Sequence, residues 1–147
     1  MSSPKEVINE LLVEIFNRIL MIEGEALKKS GIKLSMSEVH VLEAIAALSE
    51  PSMTAIAQKL GITVGSLTVA INTLYQKGFV RRYPDPQDRR KVLISLEEKA
   101  NDVLRAHDQF HHRMIDSIYI DLKLEEDEVL IKTLRNVSDY FKNYPID

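Results

Sequence analysis

The stretch MTAIAQKLGITVGSLTVAINTLYQKGFVRRYPDPQDRRKVLISL, Met53 to Leu96, changes its apolar period partway along, and no other stretch limits the possible folds as much. Thr54 opens a short helix, AIAQKL, which Gly61 ends. Thr63 caps a second, VGSLTVAINTLYQK, which Gly78 closes. The period then drops to two. FVRRY, the turn PDPQD and RKVLISL read as a two-stranded antiparallel hairpin, with Val92, Ile94 and Leu96 alternating with Leu93 and Ser95.

The residue types suit a helix pair that presents its second member. Ala57 is small where the first helix packs on the second, and Gly61 allows a sharp turn that a side chain resists. Ile62, Leu67, Ile71 and Leu74 are expected to hold the second helix against the body. Val64, Gly65, Ser66, Thr68, Val69, Asn72 and Thr73 are left facing outward. That outward set, with the cap Thr63, is short and polar, as entry into a DNA major groove requires.

The hairpin adds charge. Met53 to Leu96 holds seven basic and two acidic residues, a local +5 that leaves −8 for the rest of a chain whose total is −3. A basic middle between acidic flanks can meet a polyanion while the flanks repel non-specific contacts. Pro84 and Pro86 stiffen the turn, so little entropy is lost when it is fixed on a target. Arg89 and Arg90 follow, where a guanidinium would enter a minor groove. Asp88 is expected to orient one of them, and Arg81, Arg82 and Lys91 to lie lower on the hairpin against the DNA backbone. Two short helices and a basic hairpin are the parts of a winged helix-turn-helix.

The flanks are helical. A long amphipathic helix, Lys5 to Lys29, carries Ile8, Leu11, Leu12, Ile15, Phe16, Ile19, Leu20 and Ile22. Ser35 and Glu38 form a capping box for a helix that stops at Pro51, and Ser95 and Glu98 are expected to form another. The helix after Ser95 runs to about Ile120. Beyond DLKLEED, a last helix places Leu130, Leu134, Val137, Phe141 and Tyr144 on one face. The fold class is mostly α with one β-hairpin. Residues 35–96 form the winged domain, and 1–34 and 97–147 supply helices whose wide apolar stripes call for a second copy.

At 147 residues the chain suits one domain of ordinary globular composition. The absence of cysteine excludes disulfides and thiol chemistry. No apolar run approaches a membrane span, and MSSPKEVINE does not resemble a secretory signal, so no membrane partner and a cytoplasmic location are expected.

The sequence from Met53 to Ala100 resembles the core of the MarR family of bacterial winged-helix transcriptional regulators, most specifically in IAQKLGIT, KGFVRR and DPQDRRKVLISL. The resemblance extends over almost the whole chain. It implies flanking helices that interlock two subunits, Arg89 and Arg90 as groove-reaching wing residues, and Asp88 in support. The family often has threonine and glycine where this chain has Glu97 and Ala100. IFNRILMIE, SEVHVL, ITVGSLTVAINTLYQKGFV and AHDQFHHRM are also similar to a subgroup that represses fatty-acid synthesis genes. That subgroup responds to long-chain acyl groups on acyl carrier protein, which tighten its hold on DNA. An acyl or other apolar effector needs an apolar slot, for which Phe16, Leu20, Met21, Met36, His40, Phe110 and Met114 are the candidates, although methionines at helical spacing also serve as plain core.

Other functions find less support. His107 and His111 share a helix face suited to one metal, with His40 able to complete a set, but no cysteine or dense carboxylate cluster accompanies them. No metal or other cofactor is therefore expected. There is no phosphate loop, nucleophile elbow or catalytic triad spacing, and Glu23 and Glu25 read as a solvated face, so an enzyme is not expected. A winged module that binds protein would not need arginines at a stiff tip. The expectation is a homodimeric, effector-modulated repressor on a near-palindromic duplex DNA site.

Overall fold

The computed structural model describes residues 1–123 and 126–145 and divides into two compact units, 1–107 and 108–147. The expected linker DLKLEED includes Leu124 and Glu125, which lie outside the described residues.

The first unit begins with α1 (Pro4–Glu10), a π-helical segment (Leu11–Ile15) and α2 (Phe16–Lys29). The helix starts one residue earlier than the apolar spacing predicts. Pro4 occupies its first turn, and Ser3 and Glu6 form a capping box. The π segment is a departure that apolar spacing does not signal. Val7, Ile8, Leu11, Leu12 and Phe16 are exposed, while Glu23 and Leu27 are buried. Gly31 then turns the chain in the left-handed region (φ 75°).

Next come α3 (Met36–Ala47), α4 (Met53–Leu60) and α5 (Val64–Gln76). The Ser35–Glu38 capping box forms as expected. Gly61 ends α4 in the left-handed conformation (φ 66°, ψ 33°), and the Thr63 hydroxyl accepts from the Ser66 amide to start α5. Leu67, Ile71 and Leu74 are fully buried with Val39, Leu42, Ile56 and Ile94 in one core. Ile62 does not join them: it is 40% exposed, because it lies in the turn between the Gly61 cap and the Thr63 cap, off the helical face.

β1 (Val80–Pro84) and β2 (Val92–Leu96) pair antiparallel, with Val80 opposite Leu96 and Pro84 opposite Val92. The expected alternation fails on β2, where Leu93 and Ile94 are both buried and Val92 is exposed. The cause is tertiary. The second edge of β2 is covered by the α3–α4 connection, where Ser52 bridges Leu93 and Ile94 N donates to Pro51 O at 2.9 Å. Helix α6 (Glu98–Leu122) follows. Ser95 does not cap it. That residue belongs to β2, and its hydroxyl accepts from Arg81 Nε at 3.1 Å. Ala100 is fully buried, while Glu97 meets Arg81 Nε at 3.6 Å, so the two departures from the family pattern both fit this junction.

In the second unit α6 ends two residues beyond the expected Ile120, and α7 (Glu128–Lys142) is capped by Asp127, which accepts from Leu130 N at 2.9 Å. Leu134, Val137 and Phe141 are exposed on α7, and Tyr144, expected on the same helix face, is exposed just beyond its end. Among the described residues no single helix is long and apolar enough to cross a membrane.

Candidate nucleic-acid interface

The outer face of α5 carries the expected residues. Thr63, Val64, Gly65, Ser66, Thr68, Val69 and Asn72 are exposed, and Thr73 is half-buried. Several hydroxyls are already engaged within the helix. Thr63 Oγ1 donates to Ser66 Oγ at 3.0 Å, Thr68 Oγ1 to Val64 O at 2.8 Å and Thr73 Oγ1 to Val69 O at 3.1 Å. These bonds hold short side chains close to the helix surface, and the apolar methyls of Val64 and Val69 stand out between them. Such a surface can approach base edges and thymine methyls closely.

The wing tip is built by two aspartates. Asp85 Oδ1 accepts from Gln87 N at 2.9 Å, and Asp88 Oδ1 accepts from Arg90 N at 3.1 Å, each bending its own backbone into a local turn. Asp85 N donates to Lys91 O and Lys91 N to Asp88 O, both at 2.9 Å, which closes the tip. Asp88 therefore shapes the loop as well as meeting Arg90 Nε at 3.6 Å, an ion pair longer than a hydrogen bond. Arg89 and Arg90 project into solvent, and Arg89 has no ion pair or hydrogen bond among the described residues.

The lower basic residues are held by the protein itself. Arg81 lies between Ser95 and Glu97, and Lys91 Nζ lies 3.5 Å from Glu50 Oε2. Arg82 Nη2 donates to Asn72 Oδ1, and its guanidinium carbon is 5.6 Å from the Tyr75 ring centre. Asn72 and Arg82, which the sequence assigns separately to DNA, thus meet across the seam between α5 and β1. Sequence reasoning did not include Thr54 and Gln58, exposed on α4. With Asp88, Arg90 and Lys91 they line an open groove beside the start of α4, where the helix dipole favours an anion. Thr54 just before AIAQKL and Gln58 within it, one turn apart, were the available signal.

The other candidates lie apart from this face. Phe16 (59% exposed) and Met21 (71%) are on the surface, and Leu20, Met36 and His40 are half-buried in the first unit. Phe110 and Met114 are half-buried in the second unit. Glu23 corrects the sequence reading: it is buried, not solvated, and its carboxylate lies within 4.8 Å of a ring nitrogen of His107, while Glu25 is exposed as expected. His107 is also buried, with Nε2 3.1 Å from Glu43 Oε1. His111 follows one turn later on α6, half-buried in the second unit.

A helix pair hinged at Gly61, an exposed second helix and an arginine-tipped hairpin seamed to it define a winged helix-turn-helix protein. Comparison with known proteins narrows the class: the MarR family model matches residues 34–92. The transcriptional regulator ZitR of Lactococcus lactis is 31% identical over 131 residues, spanning 86% of this chain and 87% of that protein. FabT of Streptococcus pneumoniae, solved in complex with DNA, is 31% identical, with a TM-score of 0.86 over 95% of this chain and 98% of that one. The S. aureus MepR F27L mutant bound to an oligodeoxyribonucleotide shares the fold, with a TM-score of 0.63 at 20% identity over 91% of this chain and 97% of that one. The chain belongs to the MarR family of transcriptional regulators and is not an enzyme.

Proposed function

We propose that the protein is a cytoplasmic, sequence-specific DNA-binding repressor that acts as a homodimer on a pseudo-palindromic operator. The Arg82–Asn72 seam carries this reading, because it fixes the wing beside the exposed face of α5. One docking motion then brings α5 into a major groove and Arg89 and Arg90 to the adjacent minor groove. Residues 35–96 do the reading. Residues 1–34 and 97–147 supply the dimer, and the exposed apolar faces of α1 and α7 are what a second copy would cover. The DNA complex of the similar FabT supports the duplex as partner.

Likeness to FabT and the subgroup motifs in IFNRILMIE and AHDQFHHRM favour control of fatty-acid synthesis genes, with an acyl chain on acyl carrier protein as effector. Such an effector acts by binding one spacing of the two recognition helices better than the other. Genomic footprinting tests the assignment. Occupancy upstream of lipid-synthesis genes supports it, and occupancy at drug-efflux genes removes the acyl reading.

A second reading rests on the buried pair Glu23 and His107, with Glu43 at hydrogen-bonding distance from the same imidazole. Two carboxylates and an imidazole suit zinc or a similar cation, which would make the regulator metal-responsive. Operator titrations after chelation and after zinc re-addition decide it: equal affinities would dismiss the metal.

A further inference from the structure

Helix α5 carries no charged residue from Val64 to Gln76. The commonest specific contact in a major groove, a bidentate pair from arginine or lysine to guanine, is therefore not available on it. The other bidentate contact, from an amide to adenine, needs both the oxygen and the nitrogen of one side chain. Asn72 cannot supply both, because its Oδ1 already accepts from Arg82 Nη2. Gln76 lies in the last turn, whereas the N-terminal turns are the ones that meet base edges.

The threonine hydroxyls are engaged as well. Thr68 and Thr73 donate to the carbonyls of Val64 and Val69, and Thr63 donates to Ser66 Oγ. Ser66 Oγ and Asn72 Nδ2 remain as donors, but a single donor meets the N7 of either purine and separates the two poorly. What the outer face offers freely is aliphatic. Val69 is 68% exposed. At about 100° per residue it stands nearly opposite the buried face of Leu67, Ile71 and Leu74. One turn earlier on the same face is Gly65, where a Cβ would come no nearer than 3.9 Å to another side chain, that of Thr63. Helical side chains lean toward the N-terminus, so the Val69 methyls lie over the gap that Gly65 leaves. A base edge can reach them with no neighbouring side chain in the way.

We infer that Val69 is a specificity-determining residue whose target is the 5-methyl group of a thymine, which no other unmodified base presents in the groove. The assignment rests on the proposed placing of α5 in a major groove and names what is read there. Contact with Val69 takes the thymine methyl out of water, an effect of about fourfold in affinity for one such group.

For the test, the full chain selects its site from a pool of random duplexes. Each thymine of that site is replaced in turn by uracil, which keeps the pairing edge and loses only the methyl. Binding is then measured for the parent and for Val69→Ala, a change that an exposed helix position accepts because alanine is the better helix former. Replacing one thymine in each half-site should weaken the parent about fourfold per half-site and leave the variant almost unaffected. The variant should bind both duplexes about as weakly as the parent binds the uracil form. Uracil penalties equal in the two proteins, or a variant that holds the thymine duplex as tightly as the parent, would overturn the assignment alone. A pool that yields no enriched site would overturn the DNA reading and the assignment with it.

Discussion

Arg82 Nη2 donates to Asn72 Oδ1, joining the first strand of the wing to the middle of the recognition helix. The same guanidinium lies against the Tyr75 ring, so two side chains of α5 fix one arginine of β1. If the bond positions the wing, Asn72→Ala and Arg82→Ala each weaken operator binding, and the double variant is little worse than the weaker single one. The coupling energy expected for groups in contact is about 0.5–3 kcal/mol. Strictly additive losses in a fluorescence-anisotropy cycle would show that each residue meets DNA independently.

Gly61 offers a cleaner stability test. Its φ of 66° is left-handed, yet an added Cβ would meet nothing within 4 Å. The cost of Gly61→Ala is therefore conformational alone, about 1–2 kcal/mol. Urea unfolding should show this as a lower midpoint at constant slope, with Gly61→Asn less affected. An unchanged alanine variant would mean that the turn relaxes.

Glu38 has two tasks, accepting from Ser35 N at 3.0 Å and from Lys77 Nζ. Glutamine retains the capping geometry and loses the charge, whereas alanine loses both. Glu38→Gln should cost at most about 1 kcal/mol, since the Lys77 side chain is 38% exposed. Glu38→Ala should be about 1 kcal/mol less stable again. Equal melting of the two variants would remove the capping role.

In the second unit, His112 Nδ1 lies 2.9 Å from Asp108 O, and the Asp108 carboxylate is 3.5 Å away. The backbone hydrogen bond first, then the carboxylate charge, raise the His112 pKa above its ordinary 6.5, with Asp116 adding in the same direction. The protonated form is the one favoured by folding. Its contribution is complete below the ordinary value and is lost as pH rises through the raised one. An NMR titration should place the His112 midpoint above 6.5, and Asp108→Asn should lower it partway, since the backbone acceptor remains. A midpoint at or below 6.5 in the parent protein would contradict the assignment.

What the sequence revealed divides by range. The Ser35–Glu38 box, the Gly61 turn, the Thr63 cap and the buried face of Leu67, Ile71 and Leu74 follow from local rules, and all four are present. Misreadings arose where distant residues intervene. Leu93 is buried because Pro51 and Ser52 cover β2, Ser95 serves Arg81 instead of a helix start, and Glu23 is buried beside His107. The interface behaves alike. Exposure of the α5 face and of the wing tip was legible from periodicity and proline placement. The ties from Arg82 to Asn72 and from Lys91 to Glu50 were not, because both depend on how the hairpin docks.

The central claim, that an arginine-tipped wing and α5 grip DNA together, is tested most directly by one operator isotherm series. The parent protein and an Arg89→Ala, Arg90→Ala variant are titrated as salt rises between about 50 and 200 mM. The account predicts affinity lower by about tenfold or more in the variant, from arginine–DNA interactions each worth roughly 1–3 kcal/mol. It also predicts a shallower salt dependence, by up to about 0.9 for each phosphate that the variant leaves unneutralised. Equal affinity and equal slope in the two proteins would contradict it.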